Sequence, residues 1–263
     1  MYLSLSLSST ATNATVLDAI RLALTGTTTL IGLGSACDMA NSELLTDVSA
    51  GWTLVDSGTG FIVLSAPQET GTAIKFVRIR LISNSLSIDG MEAWNSTTVS
   101  GTNVTTAASI SLAMPTVNQL NKLVLFSSNR FVAMQSTQNG VVSTLIYACE
   151  YTPIYPASLD KVRLLVSGRC VTQFNQDTQI LLYNYSATVQ TLDADFATTS
   201  TGQDTSGNLY APAYPQFVNP ASGGFVLGKL FGLLKTIALS QMEVTLNADS
   251  YAVIDTTTLI RKG

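Results

Sequence analysis

Hydrophobic and polar residues alternate from the first positions. In Tyr2-Leu3-Ser4-Leu5-Ser6-Leu7, the residues Leu3, Leu5 and Leu7 fall on one face of a strand, and Ser4, Ser6 and Ser8 on the other. The period then lengthens. Thr15-Val16-Leu17-Asp18 sets a hydroxyl three residues ahead of an acid, in the manner of a capping box. Leu17, Ile20, Arg21 and Leu24 follow at helical spacing until Gly26 ends the run. Residues 27–45 read as loop, with a short helical turn at Ser42–Leu45.

From Gly51 the period returns to two. Gly51–Asp56 reads as a strand, Asp56-Ser57-Gly58-Thr59-Gly60 as a turn and Phe61–Ala66 as the hairpin partner. Pro67–Gly71 is a further turn. In Ile74–Ile82, Val77, Ile79 and Leu81 share one face, while Arg78 and Arg80 lie on the other with Ile74, Phe76 and Ile82. Leu86–Trp94 continues the sheet, and Trp52 and Trp94 are placed to close one end of the core. Ser96–Ala108 is rich in Thr, Ser and Gly and reads as a linker or exposed loop. The same plan resumes after it. Lys122–Ser127 and Arg130–Ser136 form a hairpin around Ser128-Asn129, with Asn139-Gly140 as a further turn. Val141–Tyr151, Val162–Val166 and Ile180–Ser186 read as strands. Asp193–Tyr214 is poor in large apolar residues and reads as a surface excursion. Gly223–Leu239 is strongly apolar, with glycines at 223, 224, 228 and 232. It reads either as a segment inserting between subunits or as a loop followed by a core helix. Met242–Leu246 and Ser250–Ile254 form a last hairpin, and Leu259-Ile260 adds a strand.

These elements predict a mainly β chain: an antiparallel β-sandwich or paired β-sheets with one or two short helices, one near the N-terminus. The expected organisation is a helix-plus-sheet region over 1–95, the linker or loop at 96–108, and a second β-rich region over 109–263. That second region carries a long excursion at 193–224. A single composite domain is the alternative.

Composition narrows the function. Charged residues are only 11% of the chain, against about a quarter in an ordinary soluble domain, while apolar residues are 46%. Hydroxyl and amide side chains fill the space, and such a surface is cheap to desolvate against copies of itself. A net charge of −4 offers no basic stripe for phosphates. The basic pair Arg261-Lys262 reads as a solvated end of the chain. Met1-Tyr2-Leu3-Ser4 has no basic lead into an apolar run, so no export signal is expected. Gly223–Leu239 holds Lys229 and Lys235 and is too short for a spanning helix.

Candidate chemistry is thin. The chain has 0 His, which removes Ser-His-Asp and Cys-His sites and the histidine metal centres. Cys37, Cys149 and Cys170 have no CxxC spacing and read as buried thiols, though Cys149 and Cys170 could face each other. Asp193 and Asp195, with Glu150, are the nearest approach to a carboxylate pair, and they match no Ca²⁺ loop. Gly32 and Gly34 complete no phosphate-binding motif. The sequons at Asn95, Asn103 and Asn184 carry no glycosylation meaning without export. No catalytic, cofactor or metal residue is predicted, and the chain is not expected to be an enzyme.

Three stretches carry a resemblance. Gly51-Trp52-Thr53-Leu54-Val55-Asp56 followed by Val63-Leu64-Ser65-Ala66-Pro67 resembles a "GW…D" and "LxAP" strand pair in virion proteins of long-tailed phages. Lys122–Phe126 through Arg130–Met134, then Tyr147–Tyr151, is similar to a second phrase of those proteins, and Tyr251–Asp255 to Ile260–Gly263 to their common ending. The resemblance implies a structural particle component of the neck, collar or tail, without catalysis. Expected partners are copies of itself in a symmetric oligomer and other virion structural proteins, with no direct nucleic-acid binding and no membrane. The expected location is the virion, assembled in the host cytoplasm. Gly223–Leu239, Asp193–Tyr214 and the N-terminal strand are the expected contacts. One alternative is a host-recognition module of a tail fibre or baseplate that binds a receptor or carbohydrate, where Tyr183, Tyr185, Tyr210 and Tyr214 could line a groove. Another is a capsid decoration protein.

Overall fold

The computed structural model describes residues 1–45, 51–66, 76–91, 93–102, 104–106 and 109–115, then from 121 onward the strands named below together with Lys262. Beyond Gln138 the side chains described are Glu243, Thr245, Ser250, Tyr251 and Lys262. The chain is mainly β, its strand pairs are antiparallel, and a helix lies near the N-terminus, as the alternation predicts. The predicted turn at Pro67–Gly71, the start of the third predicted strand at Ile74 and the dipeptides Ser128-Asn129 and Asn139-Gly140 lie outside the described residues.

Strand β1 (Tyr2–Ser6) leads into helix α1 (Asn13–Leu24). The cap is Thr12, three residues before the predicted Thr15. Thr12 Oγ1 accepts the Thr15 amide at 3.2 Å, and Thr15 Oγ1 accepts the Thr12 amide at 2.9 Å. Thr15 is thus the far half of the capping box, and Asp18 instead pairs with Arg21 at 2.7 Å. Thr12→Ala is expected to cost about 1 kcal/mol of stability by urea denaturation; an unchanged midpoint would show that the cap contributes nothing. The helix does stop at Gly26, which takes φ 112°. Thr27 donates to the Leu22 carbonyl at 2.9 Å and Gly26 to that of Ala23 at 3.4 Å, the paired bonds of a Schellman end. A 3-10 helix follows at Ile31–Ala36 and bends at Gly34. Ser42–Leu45 is not helical. Glu43–Leu45 forms β2 and pairs with the free edge of β1, while Ser42 Oγ accepts the Ser6 amide at 2.9 Å.

A smaller sheet follows. It holds β3 (Thr53–Gly58), β4 (Phe61–Ser65), β5 (Phe76–Ile82) and β6 (Ser85–Met91). The β5–β6 turn puts Ser83 and Asn84 at φ 49° and 62°, the left-handed pair that matches the twist of a tight hairpin. The predicted linker at 96–108 carries strand structure. β7 (Ala93–Asn95) and β8 (Ser100–Thr102) make a hairpin, and β9 (Thr105–Thr106) pairs with β6. Asn95 turns the hairpin by accepting the Thr97 and Thr98 amides at 2.9 and 3.1 Å. β10 (Ile110–Ser111) pairs further along β6, so the order is β10-β6-β5-β4-β3, with β3 at an edge.

The larger sheet adds β11 (Asn121–Ser127), β12 (Phe131–Gln138), β13 (Val141–Val142), β14 (Ile146–Glu150) and β15 (Thr152–Pro153). Then come β16 (Leu164–Ser167), β17 (Ile180–Tyr183), β18 (Val189–Thr198), β19 (Gly202–Gln203) and β20 (Leu209–Asn219). The last are β21 (Gly223–Val226), β22 (Leu234–Thr236), β23 (Glu243–Leu246), β24 (Asp249–Asp255) and β25 (Thr258–Arg261). Within the expected excursion from Asp193 to Tyr214, the described residues are instead paired strand. β18 and β20 run side by side from Asp193↔Val218 to Thr198↔Ala213. Small and polar residues suffice there because the ladder is held by backbone groups. In the apolar segment the described residues are likewise strands, β21 and β22, where a core helix was one expectation.

The main core lies between the two sheets. Leu3, Leu5, Leu123, Leu125, Val132 and Met134 of the larger sheet pack with Ile62, Leu64, Val77, Ile79, Leu81 and Ile88 of the smaller. Helix α1 lies against β4 and β5 and adds Val16, Leu17 and Ile20. The alternation at Leu3/Leu5 and Val77/Ile79/Leu81 thus points inward as predicted. Burying each such side chain contributes roughly 1.5–3 kcal/mol. Trp52 closes this core as expected, but Trp94 stands outside it. β1 also pairs with β11 across the predicted linker, from Tyr2↔Phe126 to Ser6↔Lys122.

Candidate functional site

Two charged clusters stand out, one on each outer side of the main core. The first lies on the outer face of the smaller sheet. Register sets Asp56, Val63, Arg78, Asp89 and Thr106 in one row across β3, β4, β5, β6 and β9. Asp89 is fully buried. It accepts Arg78 Nε at 2.7 Å and Arg80 Nη2 at 3.0 Å. Two guanidinium groups two residues apart on a strand share a face, so one carboxylate on the neighbouring strand can bridge both. Trp94, carried in by the β7–β8 hairpin, covers this row. Its ring lies 5.7 Å from the Arg78 guanidinium carbon and 6.1 Å from the Phe61 ring, and its Nε1 donates to Asp56 at 2.8 Å. Gly101 of the same hairpin sits over Met91, where a Cβ would stand 2.5 Å from its sulfur. Asp56 and Asp89 balance Arg78 and Arg80, so the cluster ties the hairpin down and is neutral overall.

The second cluster joins the two ends of the larger sheet. Strand pairing runs β2-β1-β11-β12-β14-β16-β17-β18-β20-β22-β25-β24-β23. Lys262 stands where this path returns on itself. Its ammonium donates to Glu43 of β2 at 2.9 Å and to Glu243 of β23, and lies 4.7 Å from the centre of the Tyr2 ring of β1. Its backbone N–H donates to Ser250 of β24 at 2.8 Å. Lys262 is only 2% exposed, so the predicted solvated end is instead a buried ion. Desolvation by burial lowers the pKa of the ammonium, but the bonds to Glu243 and Glu43 outweigh it and the net shift is upward. Burial likewise pushes the Tyr2 phenol up.

Neither cluster was visible as a site in the sequence. The alternation placed Arg78 and Arg80 on the outer face, and an acid in the following strand was the available signal for Asp89. Nothing local marked Lys262, whose partner Glu43 is 219 residues away. The carboxylates weighed for chemistry lie on two strands that do not pair with each other. Asp193 and Asp195 lie on β18, opposite Val218 and Gln216, and Glu150 on β14 opposite Leu164. Tyr183 lies on β17 and Tyr210 and Tyr214 on β20, with side chains outside those described, as is all of Tyr185. Cys37 is a buried free thiol, while the Cys149 side chain and Cys170 lie outside the described residues. Gly32 and Gly34 belong to the 3-10 helix. Among the described residues no three His, Cys, Asp or Glu side chains gather as metal ligands, and no helix is long and apolar enough to cross a membrane. Compared with known families, the chain matches no family model, and no curated protein matches it.

Proposed function

We propose that this protein is a structural component of a tailed-phage virion that associates with copies of itself in the neck, collar or tail. The observation that carries this reading is how the chain uses its few charges. Among the described residues, Arg78, Arg80, Asp89 and Lys262 are drawn into internal clusters. The edge strand β3 is left exposed through Thr53, Leu54 and Val55, with Ser57 and Gly58 beyond Asp56. An edge strand with little charge, unpaired on one side among the described residues, is a surface that another chain can cover at low desolvation cost. The phrases shared with phage virion proteins supply the particle context.

Light scattering on the purified chain over a wide concentration range is the direct test. The expected result is a discrete oligomer or ring that grows with concentration. A strict monomer at every concentration would remove the assembly reading. Electron microscopy of the particle with a label on this chain then locates it among neck, collar and tail. One observation favours recognition of a carbohydrate as a second reading: the Phe61–Trp94 ring pair beside Arg78 on the outer face. Glycan binding that is lost in Trp94→Ala, by a chain that stays monomeric, would favour it.

A further inference from the structure

We infer that Lys262 is a proton-controlled latch that holds the returning end of the larger sheet over β1 and β2. The geometry carries this. The two end strands of one strand path, β2 and β23, each send a glutamate to the same ammonium. β1 sends the Tyr2 ring beneath it, and β24 receives its backbone N–H through Ser250. Among the described residues no backbone pairing joins β2 to β23, so side chains make the closure. Beneath the ammonium the Tyr2 ring packs against the Phe126 ring, 5.3 Å between centres, on the face of β1 and β11 turned away from the main core, and both rings are buried.

Among the described residues the groups facing the ammonium are Tyr2 from β1, Glu43 from β2 and Glu243 from β23. On β24, Tyr251 is buried and pairs with Arg261. The Met1 amino group is turned to the Ser127 carbonyl at 2.7 Å. Tyr2 and Lys262 are both raised in the folded chain above their usual 10.0 and 10.5. Each therefore keeps its proton in the folded chain at a pH where the unfolded chain has begun to lose it. Their contribution is fully present below the unfolded values and is lost as pH rises through the folded ones. Once the pH passes the folded values, which lie above the usual 10.0 and 10.5, a neutral lysine no longer holds two carboxylates, and an ionised phenol faces them. The latch opens on the alkaline side.

The test follows binding of a dye that reports apolar surface, together with tryptophan emission, from pH 8 to 11.5 on the full chain. In the wild type, dye binding is expected to stay flat through the usual lysine value of 10.5 and to rise only above it, while emission from buried Trp52 still reports a closed core. Tyr2→Phe keeps the ring and removes the phenol whose charge helps Lys262 hold its proton, so it is expected to move the rise to lower pH. Lys262→Met is expected to bind dye already at pH 8. At pH 8, Lys262→Met and Glu43→Gln together are expected to show a coupling of about tenfold in the unfolding equilibrium constant. Dye binding that rises only together with the tryptophan change, in wild type and Tyr2→Phe alike, would overturn the latch. So would additive effects of Lys262→Met and Glu43→Gln. Tyr2→Phe changes a single hydroxyl, so the test stands even if Lys262→Met does not fold. Neither result depends on whether the chain forms oligomers.

Discussion

Trp52→Ala is expected to lower the free energy of unfolding by about 4 kcal/mol, the largest effect of any single change proposed for this protein. Trp52 is 2% exposed and belongs to the main core. It enters from the segment before β3, and its indole Nε1 donates to Ser127 Oγ at the end of β11, 3.0 Å away. One side chain therefore ties the smaller sheet to the larger. Truncation removes the apolar area of the ring, opens a cavity between sheets that are already joined elsewhere, and leaves a buried hydroxyl with one bond fewer. Trp52→Phe keeps most of the volume and loses the indole donor, so its expected cost is about 2 kcal/mol. Urea denaturation followed by circular dichroism measures both. A loss below about 1 kcal/mol for Trp52→Ala would mean that the two sheets do not share this core.

The second large effect is expected at Asp89. Asp89→Ala should cost about 3 kcal/mol, because it leaves two guanidinium groups against the outer face of β5 without their common partner. The figure sits at the low end of the range for broken buried pairs because Arg78 and Arg80 are 20% and 34% exposed and water screens part of the loss. Arg80 Nε is already buried without a partner among the described residues, so the cluster has little spare capacity to rearrange. Asp89→Asn keeps the shape and one acceptor oxygen and should fall between wild type and Asp89→Ala. The hairpin should loosen with it, since Trp94 rests on Arg78. Trp94 emission is expected to shift to the red in Asp89→Ala at denaturant levels where Trp52 stays buried. Equal stability of wild type and Asp89→Asn would show that the charges contribute nothing and that packing alone holds the hairpin.

The two sites differ in how far the sequence discloses them. At the Asp89 cluster the period of two in β5 separates Val77, Ile79 and Leu81 from Arg78 and Arg80 and so announces an outer face bearing two bases. The tight β5–β6 turn then brings Asp89 opposite Arg78. Its contacts are local, and a reader of the chain could have proposed the ion pair. Trp94 was read as core because a large ring next to an apolar strand normally is. Its place over the outer face depends on the β7–β8 hairpin folding back, which the Thr- and Ser-rich stretch at 96–108 did not signal. Such a stretch makes strands through backbone hydrogen bonds, and these leave no mark in side-chain hydrophobicity. The strands described within Asp193–Tyr214 leave no mark in the sequence for the same reason.

Local pattern and composition are enough to set the faces of β1 and β5, the end of α1 at Gly26, the dominance of β structure, and a chemistry without histidine. These follow from period, from the left-handed backbone that glycine accepts and from composition, all of which are local or additive. Only the tertiary structure decided what lies against each face. Tyr2, Ser4 and Ser6 look like a solvent face in the sequence, yet all three are buried, with Lys262 over the Tyr2 ring and Ser42 bonded to the Ser6 backbone. Lys262 looks like a solvated end, yet it holds Glu43 and Glu243. A lysine is charged wherever it stands. Whether its charge meets water or two carboxylates depends on strand order across the whole chain, and strand order is a property of no local window.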